Sequence, residues 1–436
     1  MCSRYLPAKT VLFEQDRRGV TYRIPALLYL PTTGTLLAFA EERFTPNDAD
    51  ANLLVLRRGH LSGSYVEWGD MRAVQSAHLT GHRSMNPCPV HDRHTDTLFL
   101  FFIAVEGRVS ESHQLTTGRN AARLCCVRSA DRGRSWGAPT DLTDPTIGRR
   151  LGQWATFALG PGHGVQLRGG RLVVGAYAYR IDRSEGLGGV GRSRPHSFGF
   201  YSDDHGRTWR VGEAVPNLRT GECQMVSVEE ANGSRVLYCN ARSPLGCRVQ
   251  ALSPDGGAAF LSGRLVRRLA EPARGCHGSV VGFPAPTGSR GAPSPTPPHP
   301  HPPPQPHPPP QPPPPPTWVA FSHPTSPASR ADLGVYLSTC PRDPDSWTEP
   351  WVISEGPSAY SDLAYLEAPS GEAGAPAAAI GCLYECGDRA AHERIAFSLF
   401  TVRELLRNVS DAAQRSPSPP SPSRSAKGER SCCGVA

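Results

Sequence analysis

An eight-residue pattern that occurs three times restricts the fold of this chain more than any other feature. It reads Ser-x-Asp-x-Gly-x-Ser/Thr-Trp at residues 129–136 and 202–209, and a degenerate form occupies 253–260. The serine and aspartate can bond the backbone of their own turn, the glycine can adopt a left-handed conformation, and the tryptophan can anchor a hairpin. Repetition at this scale is typical of β-propeller blades. We therefore interpret the three boxes as structural turns.

Short apolar segments separated by turn residues run through most of the chain and predict buried β-strands. The clearest of them occupy residues 24–30, 36–40, 53–56, 98–103, 172–179 and 236–239. Glycine and proline contribute 44 and 45 of the 436 residues, which is too many turn formers for a helical protein. Only residues 395–406 predict a long amphipathic helix. We expect an all-β fold, a β-propeller with six four-stranded blades of roughly 63 residues each.

Residues 284–317 differ from their surroundings because they are dominated by proline, with interspersed histidine and glutamine. Proline offers no backbone N–H to a sheet, so we expect a disordered insertion or a polyproline II loop. Strand-like sequence resumes at residue 318, which favours an insertion within one domain; two domains joined by a rigid linker are the alternative. The segment is also a candidate ligand for SH3 or WW domains. Residues 411–436 are predicted to be a disordered Ser/Pro/Arg tail.

The net charge of +7 is carried almost wholly by arginine, since Lys9 and Lys427 are the only lysines. The basic residues are spread through the chain instead of clustering on one element, which argues against nucleic-acid binding. The 13 cysteines follow no regular spacing and form no C-x-x-C motif, and H-E-x-x-H is absent as well. We therefore expect no metal and no cofactor.

The first seven residues lack the apolar core of a secretory signal, and no run approaches about 18 apolar residues. These features predict a reduced intracellular protein with free thiols. Membrane association would then be peripheral, at the plasma membrane or an organelle membrane, beside a cytosolic pool. Cys432 and Cys433 lie near basic residues and are candidate S-palmitoylation sites; a pair of idle thiols is the alternative.

The stretch Thr21-Tyr22-Arg23-Ile24-Pro25 places an arginine among apolar residues at the start of a predicted strand. A buried arginine needs an anionic partner, either an internal carboxylate or a ligand. Together with the three boxes, this motif resembles the sialidase (neuraminidase) family, in its vertebrate branch. The resemblance covers nearly all of residues 11–410 except the proline-rich segment. It implies one propeller domain over residues 1–410, interrupted at 284–317, with exo-α-sialidase activity on gangliosides, glycoproteins and oligosaccharides.

The resemblance implies that three arginines hold the substrate carboxylate, and the matching positions are Arg23, Arg242 and Arg330. Three converging guanidinium groups would repel one another without an anion, and the substrate supplies one. A surface ion pair is the alternative for each arginine alone. Glu385, in Gly-Cys-Leu-Tyr-Glu, matches the glutamate that orients the first arginine, and Arg43 matches a further substrate-contacting arginine.

Tyr360, in Ala-Tyr-Ser-Asp-Leu, matches the family's nucleophile, and Glu222 matches the glutamate that activates it. Sialidases with a tyrosine nucleophile are exceptions among glycosidases. The physical reason is charge, because a carboxylate nucleophile would be repelled by the carboxylate beside the anomeric carbon. A neutral phenol avoids this repulsion, and Glu222 can take its proton. A core tyrosine and an exposed strand glutamate are the alternatives.

The acid/base residue is expected on the loop before Leu53. Asp48 matches the family's catalytic aspartate, and Asp50 is the rival if one gap shifts the register. The remaining substrate-contacting positions implied by the resemblance are Tyr177, Tyr179, Met85 and Asn86.

His277 departs from the family pattern, because it stands where relatives carry glutamine. A neutral imidazole can still donate one hydrogen bond and accept another. Two other functions compete with hydrolysis: a sialic-acid-binding propeller without activity, and a scaffold that presents the proline-rich segment. The combination of Asp48, Glu222 and Tyr360 favours the enzyme, since a lectin needs only the arginines.

Overall fold

Antiparallel β-strands form most of the regular structure, which confirms the predicted all-β class. The computed structural model describes residues 5–182, 193–286, 314–367 and 378–415. Within these ranges, 25 strands form five sheets, beginning with β1 (Lys9–Glu14). The two α-helices are α1 (Glu111–Thr117) and α2 (Val402–Arg415).

The sheets follow one another along the chain. The first contains β2 (Thr21–Leu30), β3 (Thr35–Arg43), β4 (Ala51–Ser62), β5 (Tyr65–Trp68) and β6 (Arg72–Ala73). The second contains β7 (His82–Asp92), β8 (Thr97–Glu106), β9 (Ala122–Ser129) and β10 (Thr140–Asp141). The third contains β11 (Trp154–Leu159), β12 (Val165–Gln166), β13 (Leu172–Ile181), β14 (Ser193–Ser202) and β15 (Arg210–Val211). The fourth contains β16 (Cys223–Glu229), β17 (Arg235–Ala241), β18 (Cys247–Ser253) and β19 (Arg264–Ala270).

The fifth sheet has seven strands, because one long strand is shared by two groups. It contains β20 (Ser279–Pro284), β21 (Thr317–Pro324), β22 (Ala331–Ser338), β23 (Trp351–Leu366), β24 (Ala379–Cys386), β25 (Arg394–Thr401) and β1. The first half of β23 pairs with β22 and the second half with β24. β1 pairs with β25, so the first strand of the chain completes a sheet made by the last strands.

The sheets are arranged around a common centre. The inner strands contact one another in a closed ring, in the order β2, β7, β13, β16, β20, β23 and back to β2. This is the arrangement of a β-propeller. The apolar core lies between neighbouring sheets, where for example the ring of Trp209 from the third sheet packs edge-on against Phe101 of the second, with centroids 4.6 Å apart.

The three boxes form the turns that their sequence predicts. In the first, Ser129 Oγ donates to Asp131 Oδ1 (2.8 Å) and Gly133 N donates to Ser129 Oγ (2.8 Å). Gly133 has φ +76°, the left-handed conformation that glycine adopts without steric cost. The boxes at 202–209 and 253–260 repeat the same two bonds. The boxes lead from β9 to β10, from β14 to β15 and from β18 to β19.

The predicted helix over residues 395–406 is wrong in its first part. Residues 394–401 form β25, because both edges of this segment find partners, β24 on one side and β1 on the other. Ladder pairing in the folded protein outweighs a local helical pattern. The helix α2 begins only at Val402 and ends at Arg415, five residues beyond the predicted end of the domain.

A capping box fixes the start of α2. Thr401 N donates to Glu404 Oε2 (2.7 Å), and Glu404 N donates back to Thr401 Oγ1 (3.1 Å). No helix in the described part of the chain is both long and apolar enough to cross a membrane. Residues 416–436, with Cys432 and Cys433, lie outside the described residues.

The two ends of the proline-rich segment meet at one end of a hairpin. Pro284 of β20 pairs with Thr317 of β21, and Ala285 N donates to Pro316 O (2.9 Å). The chain therefore leaves and re-enters the sheet at adjacent positions. Residues 287–313 lie outside the described residues, so the predicted disorder of this segment stays a prediction.

Candidate active site

A cavity of about 580 Å³ opens at the centre of the ring, where several inner strands begin or end. Eleven of the twelve predicted site residues line it: Arg23, Arg43, Asp48, Met85, Asn86, Tyr177, Tyr179, Glu222, Arg242, Arg330 and Tyr360. The twelfth, Glu385, lies behind Arg23. Residues that are more than 300 positions apart in the chain thus meet in one concave site.

Tyr360 and Glu222 form a hydrogen-bonded pair in the wall of the cavity. The Tyr360 hydroxyl donates to Glu222 Oε1 and accepts from Arg242 Nη1 at 3.3 Å. Burial, reinforced by the Glu222 charge, raises the pKa of Tyr360 well above its usual value, although Arg242 and Arg330 oppose this shift. Burial tends to raise the pKa of Glu222, but Arg242, His277 and the Tyr360 hydroxyl together lower it. The pair therefore rests as a neutral phenol beside a carboxylate.

Three guanidinium groups surround the Tyr360 ring. Arg23 and Arg330 lie over it with their central carbons 5.5 and 5.4 Å from the ring centroid. Arg242 reaches the hydroxyl and also donates from Nη1 to Glu222 Oε2 (2.6 Å). Within the described residues, Arg330 has no carboxylate partner. The cluster therefore attracts an anion into the space in front of Tyr360.

Glu385 holds Arg23 from behind. It accepts from Arg23 Nε (3.0 Å) and Nη2 (3.2 Å) and from the backbone N–H of Ile24 (3.0 Å). Ile24 has φ +59°, which is strained for a β-branched residue, and it lies in a bulge of β2. The bulge turns the Ile24 N–H towards Glu385, so one carboxylate orients both the side chain and the backbone at this position.

Arg43 is held in the same way by Glu41, which the sequence analysis did not assign. Glu41 accepts from Arg43 Nε (2.8 Å) and Nη2 (2.6 Å) and from the backbone N–H of Asn86 (2.6 Å). Asn86 also lies in a bulge with positive φ (+55°), next to Met85. Glu41 and Arg43 are two positions apart on β3, and this alternation on one strand face is the signal that could have identified the pair.

The structure separates the two candidate aspartates. Asp48 lines the cavity, contacts Arg43 Nη1, and its side chain is 63% exposed. Asp50 is absent from the cavity wall and instead accepts from Thr45 Oγ1 (2.6 Å) and pairs with Arg108 (2.5 Å). Asp48 therefore belongs to the cavity wall and Asp50 does not, and the catalytic role of Asp48 stays a prediction.

Tyr177 and Tyr179 come from alternate positions of β13 and form one side of the cavity, with ring centroids 6.1 Å apart. Glu111, at the start of α1, lies in the same wall and was not predicted. Partial burial, with Glu222 and Asp48 nearby, raises the pKa of Glu111. Its side chain faces solvent at the mouth, where water screens part of this effect.

A second polar layer lies directly below the first. Glu222 directly precedes β16 and is two positions from Gln224 on that strand, and Tyr360 and Asp362 are two positions apart on β23. Each of these segments therefore contributes one residue to each layer. Asp362 Oδ1 accepts from Gln224 (2.7 Å), His163 (2.8 Å) and Ser279 (2.9 Å). This network ties together the strands that carry the Tyr360–Glu222 pair.

Comparisons with known proteins show the family of this chain. A profile for the BNR repeat-like domain matches residues 34–290. Human sialidase-4 is 49% identical over 98% of this chain and 98% of its own length. The chain belongs to the sialidase family. Human sialidase-3 is 45% identical over 91% of this chain and 92% of its own, and mouse sialidase-2 is 47% identical over 91% and 96%. These relatives identify the protein as an exo-α-sialidase, a glycoside hydrolase.

Solved sialidase structures share the fold. The Hadza microbial sialidase Hz136 superimposes with a TM-score of 0.68 at 22% identity, over 91% of this chain and 69% of its own. Trypanosoma rangeli sialidase in complex with sialic acid gives a TM-score of 0.60 at 16% identity, over 93% and 60%. Identity this low supports the propeller architecture alone.

His277 packs beside the Tyr360 ring, with centroids 5.4 Å apart, but does not itself line the cavity. The side chain is fully buried, and neither ring nitrogen has a hydrogen-bond partner among the described residues. Burial lowers the pKa of His277 to about 4, with Glu222 opposing the shift and Arg248 adding to it. The imidazole is therefore neutral near pH 7.

One group among the described residues brings metal-ligating atoms within 4.8 Å of one another: Asp92, His94 and His205. None of the three lines the cavity. Asp92 is already saturated by hydrogen bonds, one of them from His205 Nδ1 (2.8 Å), which joins the second box to the turn after β7. We interpret this group as a structural contact between two sheets.

Proposed function

We propose that this sialidase releases terminal α-linked sialic acids with retention of anomeric configuration, and that Tyr360 is its nucleophile. The observation that carries the proposal is the Tyr360 hydroxyl, which donates to Glu222 while three guanidinium groups surround its ring. The arginines would bind the substrate carboxylate and so bring the adjacent anomeric carbon to the phenol oxygen.

In the first step, the Tyr360 oxygen bonds to the anomeric carbon while its proton passes to Glu222. The glycosidic C–O bond breaks, and Asp48 protonates the departing oxygen. The high pKa of Tyr360 means that proton transfer accompanies attack instead of preceding it. In the second step, water attacks the same carbon, Asp48 takes its proton, and the Tyr360 oxygen leaves and recovers a proton from Glu222.

Three measurements test this mechanism. Purified protein should hydrolyse a fluorogenic sialoside between pH 4 and 7, and proton NMR should detect the α-anomer as the first product. Tyr360→Phe should lower kcat at least a thousandfold with an unchanged circular dichroism spectrum. Tyr365→Phe, on the same strand outside the cavity, is the matched control and should retain activity. A first product of β configuration, or a Tyr360→Phe variant that keeps about a tenth of kcat, would refute the proposal.

The acid role of Asp48 has its own test. Asp48→Asn should reduce hydrolysis of natural sialosides far more than that of activated aryl sialosides, because a good leaving group needs little protonation. Asp50→Asn is the control and should affect both substrates alike. Equal losses on both substrates in Asp48→Asn would remove this residue from the acid role.

We also propose that the substrates include gangliosides, glycoproteins and oligosaccharides, and that the enzyme contacts membranes peripherally. The relatives named sialidase support the class of sugar, and the membrane proposal is based on Cys432 and Cys433. Replacing both cysteines with serine should move the enzyme from the membrane to the soluble fraction and leave activity on a soluble substrate intact. We further propose that the propeller has six blades. The seven-stranded sheet then supplies two of them, which share β23.

A further inference from the structure

The loop at residues 271–276 sets the direction of two arginines. It leads towards β20, and two of its main-chain carbonyls contact arginines that line the cavity. Gly275 O accepts from Arg330 Nε (3.1 Å) and Nη2 (3.0 Å), and Arg274 O accepts from Arg242 Nη2. Gly275 has φ +66°, and a β-carbon there would come within 2.6 Å of Arg242 Nε. A glycine is therefore needed for the arginine to pack against the loop.

One buried carboxylate holds this loop in place. Glu271 Oε2 accepts from the backbone N–H of Cys276 (3.0 Å), the residue after Gly275. Glu271 Oε1 accepts from the backbone N–H of Ser243 (3.1 Å), the residue after Arg242. The same side chain thus fixes both the backbone that carries Arg242 and the loop that orients Arg330.

Arg248 completes the support from within the core. Its side chain is fully buried and donates to Glu271 Oε1 (3.1 Å), Cys276 O (2.7 Å) and Asn240 Oδ1 (2.7 Å). Burial alone would raise the pKa of Glu271, but Arg248 and His323 together lower it to about 2. Glu271 is therefore charged throughout the range in which the enzyme is expected to work. Arg248 does not line the cavity.

We infer that Glu271 is a positioning residue for the substrate carboxylate: it acts through the 271–276 loop to aim Arg242 and Arg330. This inference rests on the proposed binding role of the arginines. Glu271 lies at the foot of the cavity wall and acts through the backbone, so its loss should weaken recognition of the carboxylate specifically. An unspecific structural role would instead lower stability and activity for every ligand alike.

The readout that separates these roles is the preference for sialic acid over its methyl ester. The two ligands differ only in the charge and shape of the carboxyl group. Ligand-observed NMR titration of each gives the ratio of their dissociation constants without turnover. Glu271→Gln puts an NH₂ group opposite backbone N–H groups, which displaces the loop. We expect the preference for the acid to fall on the order of tenfold, with KM for a sialoside rising more than kcat falls.

Asp92→Asn is the matched control. Asp92 is equally buried and accepts four hydrogen bonds, from His94 N, Thr95 Oγ1, Gln166 Nε2 and His205 Nδ1. Asp92 lies outside the cavity wall. The Asp92→Asn variant should therefore be less stable but should keep the wild-type ratio of the dissociation constants for the acid and the ester (the acid-to-ester ratio). If Glu271→Gln does not fold, Arg248→Lys provides the second variant, because it keeps the charge and loses the forked contact. It should lower the same ratio.

Coupling to Arg330 gives a further discriminating measurement. If Glu271 acts through Arg330, the effects of Glu271→Gln and Arg330→Lys on the acid-to-ester ratio should be non-additive. Additive effects, or an unchanged ratio in a folded Glu271→Gln protein, would overturn the inference. Failure of the hydrolytic mechanism would appear separately, as a wild-type protein that prefers the acid and releases no sialic acid.

Discussion

The two sides of the cavity hold their arginines by different means. Arg23 and Arg43 each form a forked ion pair with a fully buried glutamate, Glu385 and Glu41. On the other side, loop carbonyls orient Arg242 and Arg330, and Glu271 holds that loop. Arg242 also pairs with Glu222, whereas Arg330 has no carboxylate partner among the described residues. A carboxylate neutralises the arginine that it orients, whereas a carbonyl orients without removing the charge. The first side is therefore built for rigidity, and Arg330 on the second keeps its charge for the substrate.

The largest effect is expected from removing the charge of Glu385, the glutamate that orients Arg23. Glu385→Gln leaves Arg23 partly buried without a counter-charge, so the free energy of unfolding should fall by about 3 kcal/mol, and kcat/KM should fall with it. Urea denaturation measures the first quantity and initial rates the second. The double variant Glu385→Gln/Arg23→Gln should recover part of the stability, because no lone charge remains. A loss below about 1 kcal/mol in Glu385→Gln would show that the pair is not needed for rigidity.

Arg330→Gln tests the opposite side. Among the described residues, its guanidinium donates to one backbone carbonyl and lies over an aromatic face. We therefore expect KM to rise about 10- to 100-fold and stability to change by less than about 0.5 kcal/mol. Arg342→Gln, an exposed arginine paired with Glu230, is the control and should change neither quantity. If Arg330→Gln destabilised the protein as much as Glu385→Gln does, the contrast between the two sides would disappear.

His277 allows the Arg242 side of the cavity to be tested by varying the pH, because this residue is buried next to Tyr360 and near Arg242. With a folded pKa of about 4 and an unfolded value near 6.5, the unfolded chain binds more protons between these limits. Stability of the wild type should therefore rise with pH from about 4 to 6.5 through this residue. His277→Gln should remove a penalty of about 2 kcal/mol at pH 5 and leave pH 8 unaffected. Urea denaturation of both proteins at pH 5 and pH 8 measures this difference in stability. An unchanged pH dependence in the variant would contradict the lowered pKa of His277.

The smallest effect is expected from deleting residues 287–313, which keeps Ala285 and Pro316 and the hydrogen bond between them. The segment joins β20 and β21 at the end where Pro284 pairs with Thr317, and the 271–276 loop precedes the other end of β20. Loop length changes folding free energy only slowly. The deletion should leave KM, kcat and the acid-to-ester ratio within about twofold of wild type. A larger change in KM would mean that the insertion reaches the Arg242 and Arg330 side.

Much of the site was predictable because its residues lie in short motifs shared with a known family. Tyr360, Glu222 and Glu385 were assigned in this way, and the structure brings them together with Arg23. Glu41 could have been found from its alternation with Arg43 on one strand. Glu271 had no local signal, since it lies in a loop and its partners are reached only after the sheets assemble. The error at residues 395–401 has a similar cause, because pairing with β24 and β1 decided their conformation.

The sequence by itself determined the box turns, most of the strands and the chemical character of the site. The serines and aspartates of the boxes form hydrogen bonds within their own eight residues, and the alternation of side chains along a strand repeats every two residues. These features therefore depend on near neighbours alone. Only the tertiary structure decided how these distant residues come into contact. Glu385 and Arg23 are 362 positions apart, and Glu271 lies 52 positions from His323. Such pairs depend on the register and packing of separate sheets, and a buried charge is stable only where that packing supplies its partner.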